Sequence, residues 1–453
     1  MKASHTIRPV FDEPNLVSHA GLAPILALAE RAGLSSLVAE HSTVATPNRG
    51  LKTRTMLAGM LAGADSIDDL DVLRAGSTSR VIGPVRAPST MGTFLRSFTH
   101  GHVLQLAAIN RRLLAGLQAS IPTFIDPSEP VLVDMDDTIG AVHGYQKQAA
   151  AFGYSKVRGL NALAITVSTD HSSPVISEFS LRRGNIRSGD HADWHLARTL
   201  AAVDTTAQGR EGLVRADSAF CTHGNVSQAQ RAGASFSFTI PHWPTVTRAI
   251  STITDTAWTP IYPHAIADPD TGELICDAEV AEIPFTAFIS RPTAEHVASR
   301  LVVRRVKRLS THTTAGQETL FDSYRYHAFI TNSGYSTVEA DVRHRQHALV
   351  EQVFAELKNG PLTHLPSGRF SANAAWLGFA VLAFNLSRAA ACRWSCHARM
   401  ATIHRVLTAV PARIASSGRR RVLHLPQRWP WRGAWRRLWD TATGTSPPPP
   451  ATI

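Results

Sequence analysis

Cysteine is scarce in this chain: four residues in 453, Cys221, Cys276, Cys392 and Cys396, at irregular spacing. That number and scatter exclude a disulfide framework and fit a chain that folds in a reducing cytoplasm. Cys392 and Cys396, with His397 alongside, are spaced one residue wider than the commonest zinc knuckle, and no second Cys or His pair stands at ligand distance. Two buried thiols on one helix face are expected there instead. Long apolar runs are missing too. The most apolar stretch, Ala374 to Leu386, falls short of the roughly 20 residues that span a bilayer, so it reads as a buried helix and no membrane partner is expected. Met1 to Pro14 carries no apolar signal region. Acidic side chains are outnumbered, 35 Asp plus Glu against 46 Lys plus Arg, for a net charge of +11. Such a balance points to a polyanion, DNA or RNA, as the partner class; a solvated cationic surface is the alternative.

The composition is otherwise that of a globular protein, 44% hydrophobic and 18% charged, and the length allows two or three domains. Apolar residues at three-to-four spacing over Leu22–Leu37 and Thr53–Leu73 predict helices. Ser89 and Thr90 offer a cap before Phe94, Leu95 and Phe98, and a further helix is predicted from Val103 to Leu117. The texture changes after the proline-containing stretch Ile121–Pro130. Val131–Val133 reads as a strand ending in the acids Asp134, Asp136 and Asp137. Strands at Ala162–Val167, Val175–Leu181 and Leu213–Val214, with a helix over His191–Val203, predict a mixed α/β core. Strand patterns recur at Phe236–Ile240, Val280–Phe288, Leu301–Val306 and Tyr324–Thr331. Helix returns over Ser336–Leu357, then over Ala372–Arg393. The layout read from these changes is a helical DNA-binding unit over 1–126, a catalytic segment over 127–234, a β-rich block over 235–335, a second catalytic segment over 336–395, and a basic, tryptophan-rich region over 396–453.

Cutting a phosphodiester at neutral pH takes an activated nucleophile and a means of neutralising charge on the leaving oxygen. Two divalent ions roughly 4 Å apart supply both, and carboxylates are the ligands magnesium prefers. Val133-Asp134-Met135-Asp136-Asp137-Thr138 and Arg215-Ala216-Asp217-Ser218 place acids at two strand ends. Taken singly, each is equally an ordinary turn or helix-cap aspartate.

Their order with other short motifs is more specific. Asp136-Asp137-Thr138, His143-Gly144, Leu181-Arg182-Arg183-Gly184-Asn185, Arg215-Ala216-Asp217-Ser218, and Glu351 with Lys358 seven residues on follow one another along the chain. Upstream stand Asp68-Asp69-Leu70-Asp71-Val72-Leu73-Arg74 and Ser89-Thr90-Met91-Gly92-Thr93-Phe94-Leu95. The set resembles the DDE transposases of bacterial insertion sequences, in the cut-and-paste branch with a Tyr-Arg-Glu-Lys signature, from about residue 10 to 440. The resemblance implies an RNase H-like catalytic fold interrupted by a β-rich insertion between Asp217 and Glu351. It further implies two Mg2+ ions (Mn2+ can substitute) on Asp136, Asp217 and Glu351, Lys358 as a catalytic cation, and DNA, both transposon ends and target, as substrate. A homodimer in the synaptic complex and a DNA-hairpin intermediate follow from the same resemblance. Asp134 competes with Asp136 for the first ligand position; Asp136 is preferred because the family motif carries Thr or Ser two residues after the acid, as Thr138 does here. His344 and His347 stand where the signature has Tyr and Arg, and both are expected on the helix face of Glu351, in reach of a phosphate.

His143, Lys156 and Arg158 are expected near the DNA path, although His143 could equally be a structural strand-end residue. Trp258, in the polar, turn-like Asp255–Pro260, is expected to be exposed and to stack on an extruded base, with Trp243 as second choice; core tryptophans are the alternative. In the tail, Trp431, Trp435 and Trp439 recur every four residues beside Arg432 and Arg436. They predict an amphipathic helix docked on protein with its arginines outward. Arg419, Arg420 and Arg421 are further candidates for contact with DNA, and Ser446–Pro450 is expected to be disordered.

Overall fold

The computed structural model describes residues 7–126, 128–144, 146–207, 211–261, 278–307, 324–417 and 420–444. Cys276, Arg419 and Ser446–Pro450 lie outside the described residues, as does the side chain of Arg420.

After a short strand β1 (Leu16–Val17), the apolar pattern of Leu22–Leu37 forms two helices, α1 (Leu22–Arg31) and α2 (Leu34–His41). The break falls at Gly33, whose φ of 94° lies in the left-handed region that glycine enters without a Cβ penalty. The 53–73 pattern splits likewise, into α3 (Arg49–Leu61) and a 3-10 turn over Asp68–Arg74. α4 (Thr78–Ile82) and α5 (Pro88–Arg96) follow. Ser89 and Thr90 lie inside α5, which starts at Pro88 without a side-chain cap. The capping chemistry stands one helix later, where the Thr99 hydroxyl accepts from the His102 N–H and His102 Nδ1 accepts from the Thr99 N–H at the start of α6 (His100–Ser120).

One ten-stranded sheet runs through the rest. β2 (Val131–Ala141) pairs antiparallel with β4 (Arg158–Ser168), whose far edge is shared by β3 (Ala151–Phe152) and β5 (Val175–Arg182). On its other side β2 pairs parallel with β6 (Gly212–Ala216), reached through α7 (Ala192–Ala207). β6 then pairs parallel with β7 (Ser235–Thr239), reached through α8 (His223–Arg231). The β-rich block continues this sheet. After α9 (Pro244–Ile250) come β8 (Thr259–Ile261), β9 (Ala278–Ala287), β10 (Val297–Lys307) and β11 (Tyr324–Thr331), in the spatial order β7-β11-β10-β9-β8. Two helices follow: α10 (Thr337–Arg345) and, after a 3-10 turn over Gln346–Ala348, α11 (Leu349–Lys358).

α12 (Phe370–Ala391) is the hub. By length and composition it could cross a membrane, yet its whole apolar window is buried in protein, against α3, α5, α6 and β5. Asn385 on α12 donates to Asn110 of α6 (2.9 Å) and to the Ile176 carbonyl of β5 (2.8 Å), and accepts from the Ile176 N–H (2.9 Å). Asn110 also donates to the Ile176 and Ser177 carbonyls. This satisfied polar lock, inside one continuous apolar cluster, welds the helical unit to the sheet.

Cys392 caps α12 and Cys396 lies in the turn beyond it, donating to the His171 carbonyl, so the two thiols do not share a helix face. Cys221, Cys392 and Cys396 are free. After α13 (Met400–Ile403), strands β12 (Ala412–Ser417) and β13 (Arg420–His424) join β1 in a small sheet. A helix forms in the tail as α14 (Arg432–Thr443), but the expected tryptophan stripe is not its docked face, since Trp431 precedes the helix and Trp439 is exposed. α14 packs on α1 with Ala434, Leu438 and Ala442 buried, Trp435 stacked on Trp439, and Arg436 exposed.

Candidate active site

β2 does not end at its acids, as the sequence predicts, but runs on to Ala141; it is the neighbouring β6 that stops at Ala216. The parallel register sets Asp134 beside Arg215 and Met135 beside Ala216, so the next step beyond the ladder sets Asp136 beside Asp217. The end of β6 thus opens a gap in the sheet with one carboxylate on each side. Asp217 is free to turn there because its carboxylate accepts the Ala219 N–H (3.0 Å) and caps the turn Ser218–Phe220. Burial pushes the Asp136 carboxyl up to about 7, with repulsion from Asp217 and Asp137 adding to it and the Asp137 N–H and His347 opposing. Asp217 is raised as well, chiefly by burial of its carboxylate, with repulsion from Asp137 contributing. Two acids whose ionisation is disfavoured in this way would be stabilised in their ionised form by a bound cation.

Asp134, one pleat back on the same face, is in the opposite condition. It is fully buried, and both oxygens accept from Arg215, Nε to Oδ1 and Nη2 to Oδ2, each at 2.7 Å. Although burial opposes it, the guanidinium and His347 hold the Asp134 carboxyl below its ordinary range. Arg215 also donates through Nη1 to the Arg343 carbonyl on α10 (2.6 Å), and His347 Nδ1 lies 3.0 Å from Asp134 Oδ1. Asp134 therefore ties the β2–β6 pair to the turn between α10 and α11; its lone pairs are engaged by protein, which favours Asp136 as the acid left for a ligand. Asp137, the third acid, is ion-paired with Arg182 of β5, which in turn holds Asn161 and the Ser188 carbonyl.

α11 buries Val350, Val353, Phe354 and Leu357 and packs on β2. Glu351 and Lys358, two turns apart on one exposed flank, lie along the edge of that contact. Lys358 lines a cleft with Asp137, Thr138 and Asn161, which brings it to the acidic strand. Glu351 opens to solvent. It does not join Asp136 and Asp217 in one ligand cluster: among the described residues no three His, Cys, Asp or Glu side chains are gathered to hold an ion.

The two histidines part company. His347 is at the site. His344 is not on the face of Glu351, because the 3-10 turn breaks the helix between them. It is enclosed instead, stacked on Phe329 (4.1 Å between centroids) and bonded to the hydroxyls of Ser237 (2.8 Å) and Thr239 (2.9 Å). Burial, with His347 and Arg215 nearby, pushes it down to about 3, so it is a neutral strut between α10 and the sheet and not a phosphate donor.

Trp258 corrects another expectation. It is buried at 9% exposure, with Arg305 over its ring (4.3 Å) and Tyr326 beside it; the polar residues around it in sequence form a 3-10 turn that turns the ring inward. Trp243, at 38% exposure, is the open one. His143 and Lys156 are exposed in the loops beside the β3–β4 hairpin, and Arg158 donates to the Gly144 carbonyl. Arg421 is exposed at the far, small sheet and donates to the Arg80 carbonyl (2.8 Å). Sequence reasoning passed over Arg215 and Arg182. Arg215 carried a signal, a lone arginine in the apolar strand Gly212–Ala216 that demands a buried carboxylate partner, whereas Arg182, beside Arg183 in a strand that also holds Ser177, Glu178 and Ser180, carried none.

The Asp136–Asp217 pair fits a divalent cation on its own chemistry: hard oxygen donors whose ionised forms a cation would stabilise. No curated protein matches the chain. The model of one family, described as transposase DDE domain group 1, matches residues 1–443. A mixed α/β sheet with acids meeting at the end of a parallel strand is compatible with that assignment, and the chain belongs to the DDE transposase family.

Proposed function

We propose that this transposase binds the terminal inverted repeats of a mobile insertion sequence and performs metal-dependent cleavage and strand transfer, with Asp136, Asp217 and Glu351 as the acids that hold two Mg2+ ions. The observation that carries the reading is the register of β2 and β6, which leaves Asp136 and Asp217 side by side where β6 ends, both resisting ionisation. Bound divalent ions would supply an activated hydroxyl nucleophile and neutralise the leaving oxygen. The chain's own residues do the rest. Lys358 offers its ammonium to a non-bridging phosphate oxygen in the cleft beside Asp137. His347, fixed by Asp134, presents its ring towards the acidic pair. α11 carries Glu351 on a flank free to approach that pair when DNA fills the gap. A hairpin intermediate and a homodimeric synaptic complex belong to the same proposal, with transposon ends and target DNA as the only substrates.

The test is incubation of the purified chain with a labelled transposon end and Mg2+ or Mn2+, reading nicks, hairpins and strand-transfer products. Asp136→Asn, Asp217→Asn and Glu351→Gln should each abolish cleavage and leave end binding in place, since each removes a ligand charge with little change in volume. Nicks without strand-transfer products would instead identify a nuclease. Cleavage surviving Asp136→Asn but not Asp134→Asn would reverse the ligand assignment.

A further inference from the structure

The β-rich block reaches back towards the acidic pair through the loop between β9 and β10. Phe288, the first residue after β9, has a φ of 61°. A bulky aromatic residue is an outlier in this left-handed region, and such conformations persist where the surroundings over-determine them. Here the Phe288 ring packs on the main apolar cluster and stands edge-on to the ring of His223, 5.6 Å between centroids at 88°. From the other end of the same loop, Glu295 brings Oε2 to 3.8 Å from His223 Nδ1 and is itself held by Arg291 at 2.7 Å. The loop is closed on itself, since the Arg291 N–H donates to the Phe288 carbonyl (2.9 Å). On its remaining side, His223 Nε2 meets the Ser227 hydroxyl at 3.1 Å. The imidazole is therefore fixed from three directions, two of them supplied by the β-rich block.

His223 is the first residue of α8, and α8 is what the Asp217 turn leads into. Asn225 donates through Nδ2 to the Phe220 carbonyl (2.8 Å), and the Thr222 hydroxyl accepts the Asn225 N–H (3.3 Å). The turn that carries Asp217 thus hangs from the first turn of α8. The loop after β5 closes on it from another side: a Cβ on Gly189 would lie 2.7 Å from Thr222 Cγ2 and 2.9 Å from the Ala219 carbonyl oxygen. β6 has stopped at Ala216, so strand pairing no longer sets where the acid stands. These contacts do.

We infer that Phe288 and Glu295 are positioning residues for Asp217: by fixing His223 they hold the start of α8, and with it the acid, beside Asp136. The β-rich block is then part of the frame of the metal site. The inference rests on the reading of Asp136 and Asp217 as metal ligands and names what keeps the second of them in place. Residues that orient a ligand from behind commonly govern metal affinity, without touching the ion or the substrate.

The experiment uses the full chain without DNA and reads Mn2+ binding from the EPR signal of the free ion, so that no cleavage is needed. Loss of the bound ion in Asp217→Asn assigns it to this site. Phe288→Ala should weaken Mn2+ binding about tenfold and lower kcat on a labelled transposon end to a similar degree, with KM for the DNA unchanged; Phe288→Tyr, which keeps the ring, should restore both. Ile289→Ala, the exposed neighbour on the same loop, should match the wild type. Phe288→Gly separates position from stability. Glycine relieves the left-handed φ, so this variant should unfold at higher urea than Phe288→Ala and yet bind Mn2+ no better. Wild-type Mn2+ affinity in Phe288→Ala, or an affinity that simply follows the urea midpoint across the variants, would overturn the inference. A wild-type chain that binds Mn2+ but cuts no DNA, with binding still weakened in Phe288→Ala, would sink the transposase reading and leave the positioning role standing. Cleavage by the wild type, with neither Mn2+ affinity nor kcat changed in Phe288→Ala, would do the reverse.

Discussion

Asp134 and Asp136 lie two residues apart on one face of β2, and replacing each by asparagine should move stability in opposite directions. Asp134→Asn leaves the Arg215 guanidinium buried, at 0% side-chain exposure, without its counter-charge. Removing one partner of such a pair costs about 3–5 kcal/mol. Asp136 is raised from an ordinary 3.8 to about 7, roughly three units at about 1.4 kcal/mol each, so its ionisation penalises the metal-free fold by up to about 4 kcal/mol; because the carboxylate is partly open to solvent, about 2 kcal/mol is the working figure. The sign follows from proton counting. Between pH 4 and 7 the unfolded chain has released a proton that the folded chain still holds, so stability falls as pH rises through that window and the penalty is complete above 7. At about pH 8 in EDTA, urea unfolding followed by tryptophan fluorescence should show Asp136→Asn more stable than wild type and Asp134→Asn much less stable. At about pH 5 the Asp136→Asn gain should shrink by more than half. Shifts of the same sign for both variants, or a gain at Asp136→Asn that does not change with pH, would refute the assignment of Asp134 to the scaffold and Asp136 to the reaction.

Three further outcomes are expected. Trp258→Ala should cost about 3–5 kcal/mol in urea unfolding, as a buried ring does, and the fraction that remains folded should form hairpins at the normal rate. His347→Ala should lower cleavage by about tenfold or more at unchanged end affinity, through loss of the link from the α10–α11 turn to Asp134, whereas His344→Ala should show mainly as a lower unfolding midpoint. Replacing Arg432 and Arg436 by alanine should reduce the slope of log affinity against log salt by up to about 0.9 for each phosphate that is no longer neutralised; an unchanged slope in filter binding would remove α14 from the DNA interface.

The elements around the site were largely legible in the sequence, because each carried a strong local signal. The apolar run Ala162–Val167 in β4 and the long apolar run of α12 are patterns of this kind. What stayed hidden depends on where strands stop and which neighbours they meet. Nothing local says that β2 outlasts β6 by several residues, and so that Asp136, not the strand's own end, borders the gap. The fate of Asp134 is written in Arg215, 81 residues away. Trp258 misled because its polar neighbours describe the turn and not the ring, which is covered by Arg305 and Tyr326 from strands much later in the chain. His344 and His347 share a helical spacing from Glu351, but a 3-10 turn at Gln346–Ala348 rotates them onto different duties.

The small sheet has a consequence for synthesis. Leu16 pairs with Arg413, Ala20 and Gly21 donate to the Val410 and Thr408 carbonyls, and α14 closes over α1. Closing a loop of that span costs about 5 kcal/mol in chain entropy. At about 5–20 residues per second, the first helices would wait on the order of 20–80 seconds after emerging from the ribosome for the strand and helix that cover them. Through that interval α2, α3, α4 and α6 can already pack on α1, while the part of it that α14 covers stays open. A chain cut short before Arg432 lacks α14 altogether and keeps that part of α1 bare, so such truncated products are expected to be less stable than the full chain.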